Sequence, residues 1–174
     1  KASFYGFPVI GAYKVPIYLD AVVDLKLGLN PILESLGENV RRLIRRGTST
    51  YDMKVIDDHR EIDMVNKLML IPYGNSRHGS TAVNLDEVGI YQLLSGRAHG
   101  KLHVTYKGGE AVGCHLGYET TEKRGKVWNA LRFGYISEVF NDSKRLDEVN
   151  TLNAYLAMSW AHSQGYEFYN FGMS

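Results

Sequence analysis

The sequence predicts an α/β protein in which helices pack on a mixed, mostly antiparallel twisted sheet. Three observations carry this. Residues 135–140, 149–162 and 166–172 read as strand, helix and strand in succession, the unit that builds parallel pairing and places ligands at strand ends. Before it, residues 102–106 and 110–118 flank Lys107-Gly108-Gly109, a hairpin signal. Earlier still, apolar residues between 32 and 44 recur at helical spacing.

Element by element, residues 3–13 are aromatic and punctuated by Gly6 and Pro8, an irregular or edge segment. Residues 17–27 alternate loosely and stop at Gly28, as a strand does. Asn30 before Pro31 is a helix start, and Ile32, Leu36, Val40, Leu43 and Ile44 share one face until Gly47 closes the helix. Residues 50–56 read as a second strand. Asp57-Asp58 then opens a helix with Ile62, Val65, Leu68 and Met69 facing inward. The polar, glycine-containing residues 72–82 read as a loop, and 84–94 as a helix ending near Gly96. After the hairpin, residues 126–140 continue the meander with an interruption at Gly134, and the helix over 149–162 breaks at Gly165 into the last strand. The expected organisation is a single domain over 1–174: an N-terminal edge and strand segment (1–28), a helical half (29–98), and the meander with its strand–helix–strand unit (99–174).

A chain of 174 residues is long enough to bury a core of its own. A net charge of +1 gives no general pull toward nucleic acid or membrane, so such a role requires a local patch. Cys114 is the only cysteine, which excludes an internal disulfide and fits a reducing compartment; the expected location is cytoplasmic. No apolar run approaches the ~20 residues that cross a bilayer. The chain begins at Lys1 and stops just after a strand, so the natural protein is expected to continue at one or both ends.

Four groups of residues are candidates for chemistry. In the 149–162 helix, Asn150, Asn153, Ala154, Ala157 and Ala161 share a stripe. The alanines let the helix lie close to the sheet, and the two asparagines project at its expected N-terminal end, where unpaired N–H groups suit an oxyanion, carboxylate or phosphate. The alternative is that Asn150 caps the helix and Asn153 bonds a nearby loop. Strand alternation puts Glu138 with Ile136 and Phe140 on an apolar face. A carboxylate there has a raised pKa and serves as a general base, or else forms an ion pair, with Arg132 as the partner. Ser137 and Tyr135 flank it as substrate-binding candidates; with no histidine adjacent in sequence, Ser137 has no support as a nucleophile. In Arg41-Arg42-Leu43-Ile44-Arg45-Arg46, Arg41 aligns with Arg45, and four guanidiniums in two turns suit phosphates, the alternative being a solvated face. The six histidines show no metal-ligand spacing, although His99, His103 and His115 are able to meet across the hairpin; no metal site is expected. Tyr106, Tyr118 and Tyr135 fill strand positions, the alternative being that one of them protonates a leaving group.

These residues resemble a family. Gly109-Glu110-Ala111-Val112-Gly113, the strand ending Ser137-Glu138, and the small-residue helix followed by residues 165–172 look like the GNAT-fold acyltransferases. The nearest branch is the Fem-like one, which includes peptidoglycan-bridge aminoacyltransferases. That branch carries an Arg-Arg-x-Ile-Arg-Lys-type helix before a strand, here the arginine run before residues 51–56, and an aromatic-Asp-Phe-Gly strand, here Tyr169-Asn170-Phe171-Gly172. The similarity spans roughly residues 37–172. Asn170 stands where the family has aspartate. Between Phe140 and Val149 there is no Gln/Arg-x-x-Gly-x-Gly/Ala loop of the kind that holds coenzyme A pyrophosphate. The fold would also continue into final strands beyond this chain.

The resemblance implies an N-acyltransferase that moves an acyl group from CoA or an acyl-carrier thioester to a small-molecule amine. Nothing is expected to be bound tightly, and the acyl thioester is a co-substrate. Glu138 would take the amine proton, Asn150 and Asn153 would orient polar groups, and Arg41 and Arg45 would grip phosphates. The alternatives are an aminoacyl-tRNA donor and, in another class, a non-catalytic ligand-binding or assembly module on the same fold.

Overall fold

The computed structural model describes residues 3–4, 7–8, 20–96 and 99–173. Ser3–Phe4 (β1) and Phe7–Pro8 (β2) form a two-stranded ribbon. The rest of the 3–13 segment, and residues 17–19 of the first expected strand, lie outside the described residues.

The main sheet has six strands: Asp20–Asp24 (β3), Tyr51–Ile56 (β4), Lys101–Lys107 (β5), Glu110–Glu122 (β6), Gly125–Tyr135 (β7) and Phe168–Met173 (β8), in the order β3-β8-β7-β6-β5-β4. All neighbours are antiparallel except β7 and β8, so the sheet is mixed and mostly antiparallel as expected. The β5–β6 hairpin turns through Gly108 and Gly109, both at positive φ (59° and 88°), the backbone a two-residue primed turn demands.

The helices are Leu29–Ser35 (α1), Glu38–Gly47 (α2), His59–Val65 (α3), Ile71–His78 (α4), Glu87–Ser95 (α5), Ser137–Phe140 (α6) and Ser143–Ser163 (α7). The single helix expected from Asn30 to Gly47 is two, because Leu36 and Gly37 take extended backbone and re-phase the apolar face: Ile44 is buried while Val40 is exposed. A Cβ on Gly47 would fall 2.3 Å from Leu152 Cδ2, so that glycine lets α2 lie against α7. The loop expected over 72–82 is instead helical through His78. α3 runs through a π-helical turn, Asn66–Leu70, directly into α4. Pro72 cannot bond the carbonyl of residue 68, and the widened turn just before it absorbs the misfit. The extra residue rotates the face, so Met69 and Leu70 are buried and Leu68, expected inside, is 57% exposed.

One face of the sheet packs Leu102, Val104, Cys114 and Leu116 against α3, the π turn and α5. The other lies under α7, with Trp128, Tyr169, Ala157 and Ala161 in one cluster and Tyr51, Tyr135, Val149 and Leu152 in the next. Among the described residues, no helix is long and apolar enough to cross a membrane.

Candidate functional site at the parting of two parallel strands

β7 and β8 pair only at Val127↔Phe168, Trp128↔Tyr169 and Asn129↔Asn170. Beyond that register two local features separate them. β7 shifts register against β6 between Leu116 and Gly117, leaving Leu131 as the extra residue of a bulge. β8 turns at Gly172, whose φ of 81° lies in the left-handed region. The last matched pair is held side chain to side chain: Asn170 Nδ2 donates to Asn129 Oδ1 at 3.1 Å, and Asn129 Nδ2 donates to Thr120 Oγ1 at 2.9 Å.

The parting opens a cleft of about 700 Å³ between α4 and α7, whose lining includes Tyr73, Arg77, His78, Arg132, Asn150 and Phe171. A second depression of about 740 Å³, lined by Tyr118, Thr120, Asn129 and Asn170, shares Ala130, Leu131 and Phe171 with it. In the first cleft, the buried Tyr135 hydroxyl donates to Asn150 Oδ1 at 2.5 Å, and burial pushes the Tyr135 pKa up, so it stays a donor. Tyr73 meets the Tyr135 ring edge-on at 4.8 Å and accepts from Arg77 Nη1 at 3.2 Å. Arg132 Nη2 donates to the Val83 carbonyl, and burial lowers the guanidinium pKa. Gly134 brings this apparatus onto the sheet: a Cβ there would fall 2.8 Å from Cys114 Sγ and 2.9 Å from Leu70 N.

Of the residues expected from sequence, Tyr135 and Asn150 meet at this cleft; the others do not. The strand expected over 135–140 ends at Tyr135 and continues as α6, so alternation does not govern Glu138. Glu138 is exposed, and its carboxyl is held below the usual range by its own backbone N–H and by the Ser137 hydroxyl at 3.1 Å, with Arg145 nearby. That is the reverse of the raised pKa expected of a base. Nor does Glu138 pair with Arg132, and Ser137 is exposed beside it. α7 begins at Ser143, not at 149, and its first N–H groups go to Asp142, whose carboxylate accepts from Lys144 and Arg145. Asn150 and Asn153 therefore sit inside the helix. Asn153 is fully buried, accepting from Thr105 Oγ1 at 2.8 Å and donating to the Cys114 carbonyl at 2.9 Å, which leaves it no reach toward a ligand. Arg41 and Arg45 line a separate shallow depression on α2 with Glu38, Arg42 and Arg46. His103 and His115 do meet, stacked at 5.4 Å among Trp128 and Trp160; among the described residues no group of three or more His, Cys, Asp or Glu gathers.

Sequence reasoning missed Tyr73, Arg77 and His78 because residues 72–82 read as loop. The available signal was Pro72 followed by Tyr73 and Arg77 at i, i+4 spacing.

No protein-family model matches the chain, and no curated protein matches it in sequence. Solved structures do. FemX superposes with a TM-score of 0.66 at 12% identity, over 89% of this chain and 52% of that one. L-PGS from Bacillus licheniformis gives 0.54 at 17%, over 89% and 46%. The C-terminal domain of a synthetase-related protein from Agrobacterium fabrum gives 0.56 at 14%, over 89% and 46%. This chain thus spans about half the length of the chains it matches. With its mixed six-stranded sheet, the parallel pair that parts beyond Asn129, and these neighbours, the chain has the GNAT-like fold expected from the sequence, shared with FemX.

Proposed function

We propose that this protein transfers an acyl group from a carrier thioester, CoA or an acyl-carrier protein, to an amine in the cleft where β7 and β8 part. The observation that carries the reading is that parting itself. Past Asn129 the edge of β7 is released from β8, so an extended donor arm has strand backbone to lie along and a cleft to enter.

The amine nitrogen attacks the thioester carbonyl carbon. A C–N bond forms, the C–S bond breaks, and the thiolate leaves. Tyr135 fixes Asn150 by donating to its Oδ1, which turns Asn150 Nδ2 toward the cleft as a donor for the developing oxyanion. Among the described residues no carboxylate lines the cleft; His78 is the lining group suited to accept the proton the amine loses. Thiol release should be followed with short acyl-CoA donors and amine acceptors. Asn150→Ala should lower turnover by roughly 100-fold, the scale of one oxyanion donor. Ligand-induced stabilisation without product from any thioester or tRNA donor would instead mark a binding module.

A second reading, an aminoacyl-tRNA donor, is favoured by one feature: α2 exposes Arg42, Arg45 and Arg46 beside Arg41, with Glu38 the only acid among the described residues of their depression. Steeply salt-dependent tRNA binding, lost in an Arg41→Gln/Arg45→Gln variant, would select it.

A further inference from the structure

The main sheet ends in two edges, β3 and β4, and the two are built differently. β3 slips register against β8 between Asp20 and Val22, an irregularity that disfavours further pairing. β4 carries no such break: it matches β5 residue for residue, from Tyr51↔Lys107 to Ile56↔Leu102. Among the described residues nothing pairs with its outer edge. A regular edge of that kind presents N–H and C=O groups to any strand that comes alongside.

Charge is the usual guard of such an edge, and Asp52 and Lys54 stand exposed on β4. Here, however, one acid and one base share a face and flank Met53. Neither takes part in an ion pair among the described residues; the pairs present use Lys26, Lys67, Lys107, Arg124 and Lys126. Lys54 lies 5.1 Å from the Tyr106 ring centroid, and Asp52 sits opposite Tyr106 in the ladder.

That spacing is complementary to itself. Two copies joined edge to edge and antiparallel are related by a two-fold axis normal to the sheet, which keeps each face on its own side. Only registers that bring together residues of the same face are then open. In the register centred on Met53, Asp52 of each copy meets Lys54 of the other. In the next allowed register one way, Asp52 meets Asp52; in the next the other way, Lys54 meets Lys54. The charges attract in one arrangement and repel in both of its neighbours. On the opposite face the favoured register sets Met53 against its own counterpart and Tyr51 beside Val55, which is 40% exposed in the single chain.

We propose that β4 pairs with itself: two copies of this chain join β4 to β4, antiparallel about Met53, and their two sheets become one. A strand of six residues makes a small interface, so the dimer should dissociate in the micromolar range. The test is sedimentation of the full chain across micromolar concentrations, where it should shift toward a dimer as concentration rises. Asp52→Lys and Lys54→Asp should each weaken self-association about 10-fold or more, because two attractive cross-strand pairs become repulsive. Mixed in equal amounts, these two variants should associate with each other as tightly as the unaltered chain does with itself. Copies with two cations then meet copies with two anions. Met53→Cys should give a disulfide-linked dimer on mild oxidation, whereas Val55→Cys, set opposite Tyr51, should not; the natural Cys114 is buried and stays out of the reaction. Thermal melts confirm that each variant is folded. A chain that is monomeric at every concentration, single variants that dimerise as the unaltered chain does, or a mixture that stays monomeric overturns the proposal. Cross-linking through Val55→Cys in place of Met53→Cys overturns it as well.

Discussion

The Thr105 hydroxyl donates to the Asn153 side-chain oxygen at 2.8 Å, and both residues are fully buried between the sheet and α7. Asn153 spends its other end on the Cys114 carbonyl, so one amide bolts the helix to two strands. Asn153→Ala would leave a buried hydroxyl and a carbonyl without partners. The expected cost is about 2–4 kcal/mol, read as a lowered midpoint in urea. A variant that loses substrate affinity with stability intact would return Asn153 to the ligand site.

Glu138 sits exposed on a single helical turn. Glu138→Gln should leave acyl transfer within about twofold of the parent, far from the ~100-fold loss that removal of a general base brings. A hundredfold drop in a folded variant would place the exposed carboxylate in the chemistry after all.

His103 and His115 are wholly buried under α7. Burial, with a smaller contribution from Lys101, lowers the His103 pKa to about 4, and burial holds His115 well below 6.5. Their neighbours are aromatic: Trp128, Trp160, Phe133 and the Tyr169 hydroxyl, 3.4 Å from His115 Nε2. Since the folded pKa lies below the unfolded one, the stabilising effect is complete above pH 6.5 and fades as pH falls toward 4. His103 alone should cost about 2 kcal/mol by pH 5. Urea unfolding at pH 7.5 and at pH 5 reads this directly. The carboxylates of Glu119 and Glu148, held low by Tyr166 and Lys126 and by Tyr51 and Lys107, act only further down the scale. A flat profile between those two pH values would contradict the buried neutral pair.

Gly134→Ala should destabilise by about 2–3 kcal/mol, because the new methyl meets the Leu70 backbone nitrogen and the Met69 carbonyl carbon, both at 2.9 Å, and neither can step aside. Gly47→Ala meets the branched end of one leucine, which has other rotamers, and should cost less. Reversed order in thermal melts would mean that the π turn yields more readily than α7.

Much of the architecture was legible because it is local. The Gly108-Gly109 turn, the Asp58 cap, the break at Gly165 and the strands on either side of the hairpin each rest on neighbours in sequence. What escaped depended on distant partners. Ile136 to Phe140 alternates like a strand, but the pocket left for Val139 and Phe140 between Tyr73 and Leu146 favours a helical turn. Residues 72–78 are polar yet helical because they continue a rod whose other end is anchored in the core. At the site, Asn150 and Tyr135 were visible as polar residues near an end of the sheet. Arg132 appeared only as a partner for Glu138, and its true position depends on a bulge at Leu131 that no local pattern marks.

The placement of β8 between β3 and β7 governs how the chain assembles. β4 through β7 can zip together through antiparallel neighbours, with β5, β6 and β7 joined by two-residue turns. Val22 and Val23 find their partners only in Asn170 and Tyr169, from the opposite end of the chain. Such a pairing carries a large loop-closure entropy and gains nothing until the last helix has docked. The edge strand is therefore the final piece of this sheet to settle, and a ribosome must release the chain through β8 before the cleft beside it exists.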